Sequence, residues 1–363
     1  MAPESEQLAT PEEQADLAAE GIVLRDDAPL LEVTDLTVDF PTDDGIVHAV
    51  RGVSFSLAEK EVLAIVGESG SGKSVTSLAI MGLLGKTARI SGSVKYRGVE
   101  LIGMKNRKLA KIRGRGLAMI FQDPMTSLNP VYRVGWQLAE AIRAHNKISK
   151  HAAMERSVEL LRMVGIPNPE ERVRSFPHEF SGGMRQRAVI AIAVANSPDV
   201  IIADEPTTAL DVTVQAQVLE AMEEARRHSG AGMVLITHDL GVVAGSADKV
   251  LVMYAGRPVE FGSVDDIFYR PRMPYTVGLL GAMPRLSTES DGRLVPVPGN
   301  PPSLINLPPG CPFSPRCPLS EPACNEAEPD LTQVGAGHRA ACRRIDAVPA
   351  LVQERLGHVE TVA

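Results

Sequence analysis

Gly67-Glu68-Ser69-Gly70-Ser71-Gly72-Lys73-Ser74 is the stretch whose reading decides the fold of this 363-residue chain. It is the pattern G-x-x-x-x-G-K-[ST] in full. Glu61 to Val66, just before it, is short and mostly apolar and reads as a buried strand; from Lys73 to about Leu84 the pattern is helical. In a strand, glycine-rich turn and helix taken in that order, successive backbone N–H groups point inward at phosphate oxygens. The helix adds roughly half a positive charge at its N-terminus. Lys73 is expected to reach the terminal phosphates and Ser74 to ligate Mg²⁺.

Working outward, an acid is needed to complete the metal site. Val200-Ile-Ile-Ala-Asp204-Glu205 supplies it: four apolar residues place Asp204 at a strand end, with Glu205 next, in reach of an attacking water. Two more polar residues follow apolar runs: Gln122 after Leu117–Phe121, and His238 after Val234–Thr237. By itself each is equally an ordinary solvated strand-end residue. Leu31–Phe40 and Val53–Leu57 read as strands, residues 131–180 as mostly helical, and Met233–Ile236 as another buried strand. Strands alternating with helices imply a parallel sheet covered on both faces, an α/β fold.

Phe180-Ser181-Gly182-Gly183-Met184-Arg185 opens an alanine-rich helix. Ser181 can cap it, and the two glycines expose backbone N–H groups, which makes a second anion site at a helix N-terminus. A plain helix cap is the simpler account of these residues alone. As a phosphate site it lies far from Lys73 in sequence, which points to a ligand offered by another subunit and to a head-to-tail dimer with ATP between the halves.

Composition bounds the partners. Hydrophobic residues are 44% of the chain, enough for a sizeable core, and the net charge is −8. A general nucleic-acid coat needs an excess of Lys and Arg, so nucleic acid is not an expected partner. No segment approaches the roughly 18 apolar residues that span a bilayer. Residues 1–30 hold eight Asp or Glu against one Arg, and read as a disordered acidic tail rather than a signal peptide. The expected location is the cytosol, with any membrane role exercised by docking.

Near Gly262 the composition shifts. Eleven prolines fall between Pro296 and Pro329, a density that excludes long helices and central strands, so a separate irregular module is expected. Cys311, Cys317, Cys324 and Cys342 sit in or beside it, spaced C-x5-C-x6-C-x17-C. In a reducing compartment clustered thiols more often hold a metal than form disulfides. Zinc ribbons favour tighter pairs, and four thiolates suit either Zn²⁺ or a [4Fe–4S] cluster; free thiols remain a third option.

These residues in this order resemble the ATP-binding cassette (ABC) family over roughly residues 31–262. The resemblance implies a P-loop (RecA-like) nucleotide-binding domain with an antiparallel β subdomain and a helical subdomain at about 131–185. It implies that Gly67–Ser74, with Glu68, Ser69, Gly70, Ser71, Gly72 and Lys73 between, is the Walker A loop, and that Gln122 is the Q-loop residue, joining Ser74 and Asp204 around Mg²⁺. Ser181, Gly182 and Gly183 belong to what looks like the ABC signature, in which Phe180 stands for the usual Leu and Met184 for Gln. Glu205 corresponds to the catalytic base, Ala209-Leu210-Asp211 to the D-loop, His238 to the switch histidine, and Phe40 to the aromatic that stacks on adenine.

Residues 263–345 narrow the resemblance, leaving 346–363 as a C-terminal tail. Val297-Pro-Gly-Asn-Pro-Pro302, Gly310-Cys-Pro-Phe-Ser-Pro-Arg-Cys-Pro318 and Pro274-Tyr-Thr276 are similar to the extension of oligopeptide and dipeptide importer ATPases, with Met273 where His is usual. That resemblance implies an ATP-hydrolysing motor subunit at the cytoplasmic face of the cell membrane. Its implied partners are a second, related but non-identical ATPase subunit, two transmembrane permease subunits and an extracytoplasmic substrate-binding protein. It further implies a [4Fe–4S] cluster on the four cysteines, with Zn²⁺ as the alternative. Import of nickel or another small solute is the alternative cargo. A soluble ABC ATPase acting on DNA or the ribosome is the more distant rival, disfavoured by the single cassette and the acidic balance.

Overall fold

A mixed sheet, parallel in its middle and antiparallel toward one edge, organises the computed structural model, which describes residues 17–123, 127–208, 210–283 and 297–356. Its strands in chain order are β1 (Leu31–Thr42), β2 (Gly45–Leu57), β3 (Val62–Val66), β4 (Arg89–Tyr96), β5 (Val99–Glu100) and β6 (Leu117–Ile120). They continue as β7 (Val200–Asp204), β8 (Gly232–Thr237), β9 (Lys249–Tyr254), β10 (Arg257–Ser263), β11 (Thr332–Gly335) and β12 (His338–Ala340). One sheet runs β11-β12-β10-β9-β3-β8-β7-β6 and a second runs β2-β1-β4-β5.

The middle of the large sheet follows from residue type. β3, β7 and β8 are buried along their whole length. Strands buried on both faces must be apolar throughout, so they run parallel with helical crossovers rather than alternating. β3 pairs in parallel with β8 and β9, and β7 with β6 and β8. The carboxyl ends of β3, β6, β7 and β8 therefore lie at one edge, where the glycine-rich turn, Gln122, Glu205 and His238 leave the sheet. The smaller sheet is antiparallel throughout. The helical part comprises Val134–His145, Lys150–Met163, Pro169–Arg172 and Gly182–Ala193. It shares a core with β6, β7 and the helix Val212–Ser229 through Leu138, Leu161, Ile190 and Val218.

Some expectations change. The helix after the glycine-rich turn ends at Ile80, and the chain reverses at Gly82 with φ +60°. Of the stretch expected as a disordered tail, residues 1–16 lie outside the described residues, but 17–30 pack. Ile22 and Leu30 are buried in the core of the smaller sheet, and Arg25 N–H donates to the Arg97 carbonyl. Two well-placed apolar side chains outweigh an acidic composition there.

The proline-rich region is not a separate module. The expected boundary at Gly262 falls inside β10, and β12 pairs with that strand so that β12 and β11 extend the large sheet at its edge. Prolines confine the regular structure of residues 297–329 to the short turns Ser314–Arg316 and Pro322–Asn325. Phe313 nevertheless belongs to the core that holds Tyr254, Tyr275 and Val252. His48 N–H donates to the Leu304 carbonyl, and Arg51 pairs with Glu328, so the extension also closes against β2. The expected terminal tail is a helix, Val348–Leu356, up to the end of the described residues; Val348, Leu351 and Leu356 are buried in the same core.

Candidate active site

The turn between β3 and the helix Lys73–Ile80 is built by backbone shape. Gly72 has φ +97°, and a Cβ there would stand 2.3 Å from the Ala49 carbonyl oxygen. No side-chain-bearing residue fits that close approach. Lys73 is buried, and its Nζ donates to the carbonyls of Gly67 at 2.8 Å and Glu68 at 3.0 Å. Burial pushes the Lys73 ammonium below its ordinary pKa, while Glu205, Asp204 and Glu68 oppose the shift. Ser71 Oγ is buried with no hydrogen-bond partner among the described residues. A buried unpaired hydroxyl costs about 1–3 kcal/mol, and an anion offered to the turn would remove that cost.

Ser74 Oγ donates to Asp204 Oδ1 at 2.9 Å. Sequence positions 130 apart thus form one oxygen-rich pair, of the kind hard cations select. Burial raises the Asp204 pKa, opposed by the Ser74 hydrogen bond and reinforced by Glu205. A divalent cation held by Ser74 and Asp204 would relieve that cost, so the donors fit Mg²⁺.

Glu205 has φ +46°, a left-handed backbone at a non-glycine residue. Such strain costs of order 1–3 kcal/mol and persists only where surroundings enforce it. Its N–H is fixed by the Ile236 carbonyl at 2.9 Å. The consequence is a carboxylate aimed at three neighbours. Glu205 Oε2 accepts from Gln122 Nε2 at 3.2 Å and Thr208 Oγ1 at 2.9 Å, and stands 3.4 Å from His238 Nδ1. Across a cleft of about 520 Å³ Gln122, Glu205 and His238 face Gly70, Lys73 and Ser74, while Thr208 supports Glu205 without lining the cleft. Thr208 is a site residue that sequence reading missed. Its place three residues after Glu205, across a proline, was the available signal. An apolar cavity of about 270 Å³ elsewhere, walled by Val277, Phe313 and Leu351, contains none of these groups.

Phe40 is not among the residues bounding that cleft. It is half-buried in β1 opposite Val47, against the core of the smaller sheet. Ser181 caps the helix Gly182–Ala193, its Oγ accepting from Met184 N–H at 3.3 Å. Ser181 and Gly182 are exposed, Gly183 is buried, and none of the three bounds the Lys73 cleft. Of the D-loop positions, Ala209 lies outside the described residues; Asp211 caps the helix Val212–Ser229 through Val214 N–H.

The four cysteines converge but do not form a ready ligand set. All are free thiols. Cys311 N–H donates to the Cys324 carbonyl at 2.8 Å, and Cys342 lies within electrostatic reach of the other three. Burial, with the neighbouring thiols adding to it, pushes Cys317 up to about 11 and Cys342 up to about 12. Among the described residues no three His, Cys, Asp or Glu side chains stand as a group that could hold a metal ion. The expected four-thiolate site, for Zn²⁺ as for a [4Fe–4S] cluster, is therefore not formed among the described residues.

A family profile described as ABC transporter matches residues 50–208, and one described as oligopeptide/dipeptide transporter, C-terminal region, matches residues 259–324. Curated relatives include the oligopeptide transport ATP-binding protein OppD of Mycobacterium tuberculosis, 56% identical over 93% of this chain. The chain spans only 55% of that relative's length. OppD of Salmonella typhimurium is 53% identical over 86% of this chain and 93% of its own length. The dipeptide transport ATP-binding protein DppD of Bacillus subtilis is 51% identical over 86% and 94%. Solved structures of similar fold include a dimeric post-hydrolysis ATP-binding cassette bound to ADP and Pi. It aligns with TM-score 0.58 at 25% identity, over 64% of this chain and 98% of that one. A cassette of the ABC transporter complex cbiONQ from Clostridium perfringens aligns with TM-score 0.57 at 26% identity, over 67% and 92%.

Proposed function

The chain belongs to the ATP-binding subunits of oligopeptide and dipeptide ABC transporters, and from that premise we propose that it is the ATP-hydrolysing motor of a peptide importer. The observation that carries the chemistry is the convergence of Gln122, Thr208 and His238 on Glu205, which faces Lys73 and Ser74 across the cleft, with Asp204 hydrogen-bonded to Ser74.

In this reading the glycine-rich turn and Lys73 receive the phosphates of ATP. Ser74 and Asp204 would hold Mg²⁺, which would supply positive charge to neutralise phosphate oxygens. Glu205 polarises the attacking water and takes its proton, while Thr208 and Gln122 hold the carboxylate in one orientation. Water is added to the terminal phosphorus and the bond to ADP is broken, leaving ADP and phosphate. Positioning and charge carry most of such a reaction. His238 is placed to contact the transferred group.

Ser181, Gly182 and Gly183 serve a neighbouring cassette's ATP, a reading supported by their absence from the residues that bound this chain's own cleft. A related, non-identical ATPase chain completes the pair. Two membrane permeases and an extracytoplasmic substrate-binding protein complete the importer, with this subunit on the cytoplasmic face. No helix among the described residues is long and apolar enough to cross a membrane. Phe40 is the adenine platform in this assignment.

The four cysteines hold a [4Fe–4S] cluster of structural role. The convergence of the four thiols supports this, and bound iron would draw them into the thiolate form. Iron and acid-labile sulfide measured on anaerobically purified protein test it. One zinc per chain without visible absorbance would overturn it.

Replacing Glu205 by Gln tests the motor assignment. The variant should bind ATP and lose hydrolysis by at least about 100-fold. Hydrolysis near the unaltered rate would remove Glu205 from the role of base. Peptide uptake by cells carrying the variant in place of the native chain should fail in parallel; intact peptide uptake would refute the importer assignment.

A further inference from the structure

Arg316 reaches from the four-cysteine extension to the phosphate loop. It closes the single turn Ser314–Arg316, which is pinned to the cysteines on both sides: Ser314 N–H donates to the Cys311 carbonyl at 2.9 Å, and Cys317 N–H to the Ser314 carbonyl at 3.2 Å. Its guanidinium grips Glu68 with two prongs, Nη1 to Oε2 at 2.6 Å and Nη2 to Oε1 at 2.9 Å. Nε donates to the Pro298 carbonyl at 2.7 Å, and Nη1 also to the Tyr254 hydroxyl at 3.2 Å. Only 5% of the side chain is exposed.

The backbone of Glu68 is held as well. Its N–H donates to Tyr275 Oη at 2.8 Å. Tyr275 packs against Tyr254 and Phe313, with ring centroids 4.6 and 5.4 Å away. The second residue of the glycine-rich turn is therefore clamped at main chain and side chain by residues outside every nucleotide motif.

Exposed ion pairs contribute little. Here Arg316 is buried while Glu68 is a quarter exposed, and the pair is forked and hydrogen-bonded at its remaining donors, so removing the arginine leaves a partly desolvated carboxylate without its partner. Two consequences reach the nucleotide. Lys73 Nζ is bonded to the carbonyls of Gly67 and Glu68, so a shift of Glu68 moves Lys73 directly. An unpaired Glu68 would also set a negative charge beside the place where phosphates are expected.

We propose that Arg316 is a positioning residue of the phosphate loop: it fixes Glu68, and through it Lys73, and cancels the Glu68 charge, so that nucleotide affinity depends on the four-cysteine extension. The inference rests on Gly67–Ser74 being the ATP site.

The test is titration of the full chain with Mg-ATP, followed by its intrinsic or analogue fluorescence. Arg316→Met should weaken binding about 10-fold, the scale on which a broken buried pair disturbs a neighbouring site. Adding Glu68→Gln to Arg316→Met should recover most of that loss, which a general loosening of the extension would not allow. Arg316→Lys, which keeps the charge and loses the fork, should weaken binding about 3-fold and carries the test alone should Arg316→Met fail to fold. In the assembled transporter the KM for ATP should rise more than kcat falls. Arg316→Met or Arg316→Lys binding within a factor of two of the unaltered chain, while Lys73→Ala has lost ATP, overturns the proposal and leaves the nucleotide site standing. Failure of Glu68→Gln to recover affinity overturns the charge role. Normal ATP binding by Lys73→Ala would overturn the nucleotide site itself, and the proposal with it.

Discussion

Adding one methyl group to the phosphate turn separates backbone strain from steric approach. Gly70 and Gly72 both have left-handed backbones, φ +79° and +97°. An alanine at either pays the left-handed penalty of about 1–2 kcal/mol. The two differ in what the new Cβ meets. At Gly70 nothing lies within 4 Å, whereas at Gly72 the Ala49 carbonyl oxygen is 2.3 Å away. An approach that short cannot persist, and the obstacle is backbone of β2 rather than a side chain that can swing aside. Either the turn or the strand must move by about 1 Å, at the usual overpacking cost of about 1–3 kcal/mol. Gly72→Ala should therefore exceed Gly70→Ala by about 1–3 kcal/mol, or roughly 5- to 150-fold in ATP affinity if the turn is what moves. Gly70→Ala alone should cost at most about 30-fold. The assay is Mg-ATP titration of both variants, with thermal melting in parallel. Should Gly72 instead push β2 aside, the cost appears as a lower melting temperature at unchanged affinity. Gly70→Ala and Gly72→Ala agreeing within a factor of two in affinity and within a degree in melting would refute the argument that the Ala49 carbonyl dictates glycine at position 72.

Other consequences can be measured on the same protein. Thr208→Val removes the 2.9 Å hydrogen bond to Glu205 Oε2; kcat should fall about 3- to 30-fold with little change in KM, the range of one or two hydrogen bonds in orientation, and an unchanged kcat would exclude Thr208 from the site. Burial raises the Asp204 pKa, so its contribution to folding is full below the ordinary carboxylate value and is lost as pH rises through the raised one. At neutral pH, without Mg²⁺, Asp204→Asn should then melt about 1–3 °C higher while Mg-dependent hydrolysis disappears; a lower melting temperature would show that the buried charge is not a cost. The same proton competes with the metal, so the Mg²⁺ affinity of the native chain should weaken as pH falls toward the raised Asp204 pKa. Phe313 is 2% exposed between Tyr254 and Tyr275; Phe313→Ala should cost about 3–5 kcal/mol of stability in urea denaturation, whereas a loss under about 1 kcal/mol would mean that the extension folds apart from the sheet.

The linear order of residues was sufficient for the parts of this protein whose physics is local. Gly67–Ser74 announces a phosphate turn because strand, turn and helix follow one another without interruption, and each is specified by its own residues. The unbroken apolar runs of β3, β7 and β8 announce a parallel sheet, since only strands covered on both faces can forgo polar alternation. The two acids at 204 and 205 could be singled out because they terminate such a run. Local signals fail where the partner is distant. Composition marked residues 17–30 as a tail, yet Ile22 and Leu30 are buried against strands that begin after them. Proline density correctly excluded long helices between 297 and 329, but it carries no information about pairing, and β12 joins β10 with Phe261 opposite Arg339. Charge and spacing could not couple Glu68 to Arg316, 248 positions away, or aim Glu205 at Thr208 through a left-handed backbone turn. Those contacts are settled by how the sheet edge, the hairpin β1–β2 and the extension close on one another, because burial and hydrogen bonding between remote segments are properties of the packed chain. The phosphate-binding turn could thus be read directly from its residues, whereas the clamp that holds it is made only when the extension folds back onto the sheet.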